Sequence, residues 1–484
     1  MIKDNKLIKK YCSASEPVKA AFWSVVANVL SRGISFLFTP LYTRILTQEE
    51  YGFYSLFTSA YAIIMIFATL NLGYGGFNNG MLKYPDDRHK FISSMQGLGL
   101  VSCSICFSAF LFLHRPLIVW LGIGFNDICL IFLAMMFYNS QVCWMQFQRY
   151  IFRYKALFLV SLSISIMTPL ISVVCIYILP ERKYALAIGF SLVQIGFNLV
   201  FFCINFIKGK SLYVKEYWLL GLKMNVPLVP HYLSTIILGQ SDRFMINYYC
   251  GEAKVAIYSL TYSLSLMINI FVNAISATLT PWVYQKIKAH DVKSVLSVSK
   301  SILLFLSGIV IICILIAPEL IWVLGSESYV EAKWIVAPVM LSCFYSLVYS
   351  FFGIPIFYKE KSVNIMMSTL LSAILNIVLN AIFIPKYGFA AAGYTTMIAY
   401  LFLAFAYYVN MVFLVKSDIQ LSGLYDNKAV WKFTLELTVI SLILMMTYNT
   451  ILLRYILLIC VSIITILKRN QMANIIRKFI RVSN

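Results

Sequence analysis

The sequence predicts an all-α integral membrane protein, and three observations support this: its composition, its long apolar blocks and an internal repeat. The 484 residues are 61% hydrophobic and only 12% charged, with a mean hydropathy of +0.82. Soluble domains are about 25% charged, so this composition is typical of a membrane protein. Apolar blocks recur from residue 20 to residue 467 and leave no stretch long enough for a soluble domain.

Each apolar block is long enough to cross a bilayer as a helix, which takes about 20 residues. We expect fourteen such helices, with twelve as the alternative, because little more than Tyr448-Asn449 joins the last two. The predicted spans are 20–46, 50–73, 91–113, 128–149, 156–179, 184–207, 224–249, 255–281, 298–317, 332–356, 362–384, 388–415, 430–447 and 450–467.

The basic residues indicate how these helices are oriented. With a cytoplasmic N-terminus, the inner connecting segments hold roughly three Lys or Arg for each one outside, as the positive-inside rule requires. Both termini are therefore expected in the cytoplasm. The net charge of +20 lies mostly in these short loops, so it does not indicate a nucleic acid partner.

The chain resembles itself at a nearly constant offset. Tyr54-Ser55-Leu56 recurs 204 positions later as Tyr258-Ser259-Leu260, and the motif LIVWLG at 117–122 recurs as LIWVLG at 320–325. The repeat unit holds six spans, so both copies have the same orientation and are related by a pseudo-twofold axis along the membrane normal. This divides the chain into a six-helix lobe at 1–208, a second at 209–415, and two appended helices with a basic tail at 416–484.

Spans eight and eleven each carry polar residues at three- and four-residue steps, which places them on one face of a helix. We predict that these faces line a central lumen and bind sugar, since amides bond hydroxyls and aromatic rings pack on sugar faces. The predicted lining residues are Tyr258, Tyr262, Asn269, Asn273, Ser368, Ser372 and Asn376. The alternative is that small polar residues join membrane helices to each other, the interpretation favoured for the serines of span five.

Arg32 lies in the middle of the first apolar block. A charged residue there costs about 2.5–3.5 kcal/mol on insertion scales, so it needs an anionic partner inside the bundle. Asp242 is adjacent to Arg243, and these two are expected to form a structural pair. Two alternatives follow. Either Asp242 or helix-end carbonyls bind Arg32 within the protein, or an anionic group of the substrate binds it. The forked guanidinium suits phosphate oxygens.

Two stretches carry a resemblance to a known family. "FTPLYTRILTQEEYGFYSLFTSA" (38–60) and "QSDRFMINYY" (240–249) resemble segments of the polysaccharide repeat-unit flippases, the Wzx-type translocases of O-antigen and capsule. These belong to one superfamily with the multidrug exporters called MATE and the lipid II flippases. The resemblance covers residues 18–415.

The resemblance implies a bilobed helical bundle with a cationic cavity that moves undecaprenyl-pyrophosphate-linked oligosaccharides between leaflets. The role of holding the pyrophosphate would map to Arg32 and Arg243. The location implied is the bacterial inner membrane. The partners implied are the lipid-linked oligosaccharide and membrane lipids, with a polysaccharide polymerase and a chain-length regulator as further candidates.

Other functions are less well supported by the residues. Cys103-Ser-Ile-Cys106 sits in mid-helix without further ligands and is interpreted as two apolar fillers, so no metal or cofactor is expected. We expect no enzyme, because no nucleophile or general base stands in a large outer loop. The alternative function is a MATE-like exporter. A proton-driven exporter would need a buried Asp or Glu near the repeat centre, where the sequence has none.

Overall fold

The structure is a computed structural model that describes residues 16–73, 76–417 and 423–467. Helices account for nearly all of these ranges, which contain no β-strand. The chain divides into two compact units, Met1–Tyr248 and Tyr249–Asn484. The all-α fold class is confirmed, and each predicted span overlaps one helix or two consecutive helices.

The first unit begins with a long helix that packs on a later one. Its helices are α1 (Glu16–Ile45), α2 (Gln48–Thr69), α3 (Phe77–Lys83), α4 (Arg88–Leu121), α5 (Phe125–Met135), α6 (Tyr138–Tyr150), α7 (Tyr154–Ile178), α8 (Ala185–Gly209), α9 (Lys215–Asn225) and α10 (Val229–Cys250). Helix α1 packs on α7, and α8 contacts α4, α6 and α7.

Local sequence sets the boundary between α1 and α2. The Thr47 hydroxyl accepts from the Glu50 N–H at 3.2 Å, and the Glu50 carboxylate accepts from the Thr47 N–H at 2.8 Å. This capping box satisfies backbone donors that the first turn of a helix leaves unpaired. The threonine-to-glutamate turn within the motif at 38–60 therefore starts α2.

The seventh long helix, α10, lies in the first compact unit as far as Tyr248, whereas the sequence division assigned it to the second lobe. Trp120 of α4 stacks on Phe244 of α10 with ring centroids 5.7 Å apart. The Ser59 hydroxyl of α2 donates to Gln240 Oε1 at 2.9 Å. These contacts join residues far apart in sequence, so no local pattern predicts them.

The second unit is built around one deeply buried helix. Its helices are α11 (Glu252–Lys288), α12 (Val292–Leu315), α13 (Ala317–Gly325), α14 (Lys333–Tyr358), α15 (Ser362–Tyr387), α16 (Ala390–Ser417), α17 (Asn427–Met445) and α18 (Ile451–Leu467). Helix α14 contacts α11, α12, α15, α16 and α17. Most of its residues are buried, as expected for a helix that packs against several others.

The internal repeat has a structural counterpart in each unit. Gly122 follows α4 in the left-handed conformation with φ of 64°, and its counterpart Gly325 is the last residue of α13. These two glycines are 203 residues apart and end the motifs LIVWLG and LIWVLG. A side chain on Gly122 would collide with the Asn247 amide, which lies 2.2 Å from the position of a Cβ. Glycine is therefore needed there both for conformation and for space.

The last two helices dock on the second unit through polar contacts. Arg454 of α18 forms an ion pair with Glu319 of α13, and the Tyr455 hydroxyl donates to the same carboxylate at 2.9 Å. Tyr345 of α14 and Thr438 of α17 share a hydrogen bond of 2.6 Å. The appended helices therefore pack on the described part of this unit.

Twelve described helices or helical segments are long and apolar enough to cross a membrane. Helix α10 has sufficient length, but it is more polar than these and is absent from that set. Helix α18 enters the set of shorter apolar helices as Ile451–Val461. By length and composition, the protein is a multi-pass membrane protein.

Outside the spans, the connector after α11 carries an ion pair that fixes the start of α12. Lys286 Nζ lies 2.6 Å from Asp291 Oδ2, and Asp291 also accepts from the Ser294 N–H at 3.2 Å. The hydrogen bonds from Lys286 and Ser294 lower the pKa of Asp291 to about 2, so the carboxylate is charged at neutral pH.

Candidate functional site

A cavity of about 300 Å³ lies within the second unit, between α11, α14 and α16. Ten of its thirteen described lining residues are Ser, Asn or Tyr, and none of these described residues carries a formal charge. The lining residues are Tyr262, Ser265, Asn269, Val272, Asn273 and Ser276 of α11, Val339, Ser342, Cys343, Ser346, Tyr349 and Ser350 of α14, and Tyr400 of α16.

Helical spacing brings the polar residues of each wall to one side. On α11 the lining residues follow three- and four-residue steps, so they share a face. On α14 the serines at 342, 346 and 350 follow four-residue steps. Sequence analysis did not single out this second wall, because its serines are embedded in a run of aromatic and aliphatic residues.

The hydroxyl groups of the lining serines all donate hydrogen bonds to other groups of the protein. Each serine hydroxyl has one hydrogen to donate and two lone pairs that accept. The donations are from Ser265 to Tyr262 O (2.6 Å), from Ser342 to Pro338 O (2.9 Å), from Ser346 to Cys343 O (2.6 Å), from Ser350 to Leu347 O (2.7 Å) and from Ser276 to Ser350 Oγ (3.4 Å). The serines therefore present acceptors to the cavity.

Two amides supply hydrogen-bond donors to the same wall. Asn273 is exposed and makes no hydrogen bond to another described residue, and Asn269 is half-buried beside the Cys343 thiol. Each amide has two N–H donors and one carbonyl acceptor. The cavity thus combines amide donors with amide and serine acceptors, a set suited to hydroxyl groups.

Aromatic rings complete the wall. Tyr349 stacks on Tyr400 with centroids 6.4 Å apart and an interplanar angle of 27°. Tyr407 packs edge-on against Tyr349 at 5.3 Å. Tyr258, one turn before Tyr262, is fully buried with 0% exposure and lies outside the lining set.

The polar residues of span eleven lie elsewhere, which corrects the expectation that they line the same space. Ser368, Ser372 and Asn376 on α15 are buried at 3%, 0% and 0% exposure. The Asn376 amide donates to Thr396 Oγ1 at 3.0 Å, and Ser368 Oγ accepts from the Asn410 amide at 2.9 Å. Both partners are on α16, so these residues join two helices.

Arg32 lies near the middle of the span Phe22–Ile45 on α1 and is half-buried. Within the described part of the chain, its guanidinium makes no hydrogen bond or ion pair. The neighbouring surface of α1 is open, because a Cβ on Gly33 would have no atom within 4 Å. The expected alternative partner, a protein carboxylate, is therefore not in contact with Arg32.

Arg243 on α10 donates hydrogen bonds to two neutral groups. Its guanidinium donates to Gly239 O at 3.1 Å and to Gln240 Oε1 at 2.8 Å, and the Gln240 oxygen also accepts from Ser59. Asp242 is fully buried. The structural pair of Asp242 with Arg243 stays a prediction, and Arg243 is less available to a ligand than Arg32.

An intramembrane arginine and an uncharged polar cavity, on helices long enough to span a bilayer, are features of multi-pass proteins that handle polar molecules within the membrane. Residues 18–287 match the family described as "Polysaccharide biosynthesis protein". This match covers more than half of the chain, so the protein belongs to that family. The resemblance predicted from residues 38–60 and 240–249 is confirmed at the family level.

Curated relatives match over part of their length. A protein of the Lsg locus of Haemophilus influenzae is 29% identical over 164 residues, which are 33% of this chain and 40% of the relative. A membrane protein of the same organism is 26% identical over 150 residues, 29% of this chain and 35% of the relative. The chain thus matches less than half the length of either relative.

Solved structures share the fold over most of the chain. The lipid II flippase MurJ in an inward closed conformation has a TM-score of 0.68 at 15% identity and covers 94% of this chain and 100% of its own. An inward-facing multidrug resistance transporter of the MATE family has a TM-score of 0.58 at 14% identity, covering 81% of this chain and 95% of its own. At these identities the similarity shows the fold alone.

Proposed function

We propose that the protein is a flippase for an oligosaccharide repeat unit linked to undecaprenyl pyrophosphate. It moves the head group from the cytoplasmic to the outer leaflet of the bacterial inner membrane, where the repeat unit enters surface polysaccharide such as O-antigen or capsule. Membership of the polysaccharide biosynthesis family supports the sugar cargo. The fold shared with a lipid II flippase supports a lipid carrier.

Arg32 carries the proposal. A mid-span guanidinium with no described protein partner is costly, and an anion that arrives with the substrate removes this cost. The planar guanidinium can bind two phosphate oxygens at once, which a lysine cannot. We assign pyrophosphate binding to Arg32, with Arg243 as a secondary contact once its bond to Gln240 is exchanged.

The sugar is assigned to the cavity of the second unit. Asn269, Asn273 and Tyr262 lie on its wall, and their hydrogen-bonding groups suit sugar hydroxyls. Tyr258, Ser368, Ser372 and Asn376 are left out of this assignment because they are buried in helix packing. The polyprenyl tail stays in the lipid throughout, since it is as apolar as the acyl chains.

The membrane potential favours outward movement of the head group. An interior-negative potential contributes about 2.3 kcal/mol per charge per 100 mV, so a pyrophosphate diester with two charges gains roughly 4–5 kcal/mol per 100 mV. Both termini are assigned to the cytoplasm from the excess of basic residues in the inner loops. A polymerase and a chain-length regulator would then act on the translocated product.

The proposal is tested in a strain that lacks the protein. We expect lipid-linked repeat units to accumulate in the cytoplasmic leaflet, measured by their protection from an external glycosidase, and surface polysaccharide to be lost. Plasmid-borne wild type should restore the polymer and Arg32→Gln should not, at equal protein level. Normal surface polysaccharide in the deletion strain would contradict the proposal, and hypersensitivity to cationic drugs alone would instead favour the MATE-like exporter.

A further inference from the structure

We infer that the cavity of the second unit selects a neutral, hydroxyl-rich sugar ring and rejects a sugar that bears a carboxylate. This inference rests on the proposed function and specifies the sugar that the cavity admits. Three features of the wall carry it: the direction of its hydrogen bonds, its lack of charge and its pair of stacked tyrosines.

The hydrogen bonds of the wall favour a ligand that donates. Five lining serines have committed their hydrogens to backbone carbonyls or to one another, so each offers lone pairs to the cavity. A sugar hydroxyl can donate to such an oxygen and also accept from an amide. An ionised carboxylate can only accept, so it can bond to the amide N–H groups but cannot donate to the serine oxygens.

The absence of charge on the described wall also disfavours a carboxylate. The described lining residues include no Lys, Arg or His. A carboxylate that enters such a site loses its hydration and gains no counter-charge, which disfavours its binding. The same effect keeps the pyrophosphate out of the cavity, which separates the sugar site from Arg32.

The aromatic pair supplies a platform for one ring. The stacked arrangement of Tyr349 on Tyr400 offers a flat face of the kind on which the apolar side of a sugar packs. Small-molecule sites start at about 300 Å³, and this cavity is of that size, so it accommodates one sugar residue at a time.

The test uses two synthetic lipid-pyrophosphate disaccharides that differ at one carbon. In one probe the terminal sugar is glucose, and in the other it is glucuronic acid. Binding to the full-length protein in nanodiscs is measured at neutral pH. We expect the glucose probe to bind at least tenfold more tightly, and Asn273→Lys, which adds a cation on the exposed part of the wall, to remove most of that preference.

Two further variants, Asn273→Gln and Arg32→Gln, serve as controls for this experiment. Asn273→Gln keeps the wall neutral and should keep the preference for glucose, and a thermal melt of each variant checks folding. Arg32→Gln should weaken both probes equally. Equal binding of the two probes to wild type, with both weakened by Arg32→Gln, overturns the inference and leaves the proposed function standing. Failure of both probes to bind wild type counts against the proposed function itself.

Discussion

Helices α11 and α15 carry similar ladders of amides and hydroxyls, but the structure uses them differently. Asn273 of α11 is exposed at the wall of a cavity, whereas Asn376 and Asn380 of α15 are fully buried. The Asn380 amide donates to Asn376 Oδ1 at 3.3 Å, and Thr395 donates to the Asn380 carbonyl. Polar spacing on one helix therefore does not by itself indicate a lumen.

The difference depends on the facing helix. Opposite the α15 amides, α16 presents Thr395 and Thr396, which complete their hydrogen bonds. Opposite the α11 amides, α14 presents serines that are already bonded to their own backbone. An amide ladder whose hydrogen bonds are completed by side chains of the facing helix joins two helices, whereas the Asn273 amide, which has no such bond among the described residues, remains open to a ligand.

The largest contrast is expected in chemical accessibility. Ser276→Cys on the cavity wall and Ser372→Cys in the α15–α16 contact are matched, nearly isosteric changes. Because the buried site reacts only after local opening, labelling by N-ethylmaleimide should be on the order of 100-fold faster at position 276. Peptide mass spectrometry after timed quenching measures both rates. Similar rates would show that the two ladders are equally open.

The next largest effect is expected on stability. Asn376→Leu removes two buried hydrogen bonds, the one that Asn376 donates to Thr396 and the one that it accepts from Asn380, a cost of about 1–3 kcal/mol. We expect a clear fall in the melting temperature of the detergent-solubilised protein. Asn273→Leu is the control and should melt like wild type, because no described protein partner loses a bond. A wild-type melting curve for Asn376→Leu would remove the distinction between the ladders.

For transport we expect the larger effect at the cavity residue Asn273. Asn273→Leu removes two donors and an acceptor from the cavity wall, and a lost hydrogen bond of up to about 1.5 kcal/mol corresponds to a rate lower by roughly tenfold. Initial rates of lipid-linked oligosaccharide translocation, normalised to folded protein, give the value. Asn273→Gln should restore most of the rate. Unchanged transport in Asn273→Leu would place the sugar elsewhere.

The smallest effect is expected for Ser276→Ala. The bond from Ser276 to Ser350 is 3.4 Å long, near the limit for an O–H donor, so its loss should cost less than about 0.5 kcal/mol. We expect a melting temperature within a degree of wild type and transport within a factor of two. A large loss of stability would indicate that this bond, and not apolar packing, holds α11 against α14.

Much of the fold was predictable because its determinants are local. Apolar blocks mark the helices, and the Thr47–Glu50 capping box marks the start of α2. The place of α10 was not predictable, since it depends on the pairing of Trp120 with Phe244 across a long stretch of chain. Tertiary contacts of this kind leave no trace in a single helix.

The sequence indicated one of the two main walls of the candidate cavity, α11, but not the other, α14. The α11 wall was recognised from its amides, but Tyr258 and Tyr262 share a helical face and still differ in burial, because the bundle covers one end of that face. The α14 wall was missed because serines at four-residue steps in an apolar helix are equally typical of helix packing. The sequence left Asp242 open as a partner of Arg32, and in the described structure Arg32 makes no ion pair.

Reconstituted transport tests the central claim that Arg32 binds the pyrophosphate of a lipid-linked sugar. Proteoliposomes are loaded with a fluorescent undecaprenyl-pyrophosphate oligosaccharide, and movement between leaflets is followed by quenching from outside. A charge-assisted hydrogen bond contributes about 1.5–3 kcal/mol, so Arg32→Gln should lower the rate roughly 10- to 100-fold, while Arg32→Lys retains a measurable share. Full transport by Arg32→Gln would contradict the account.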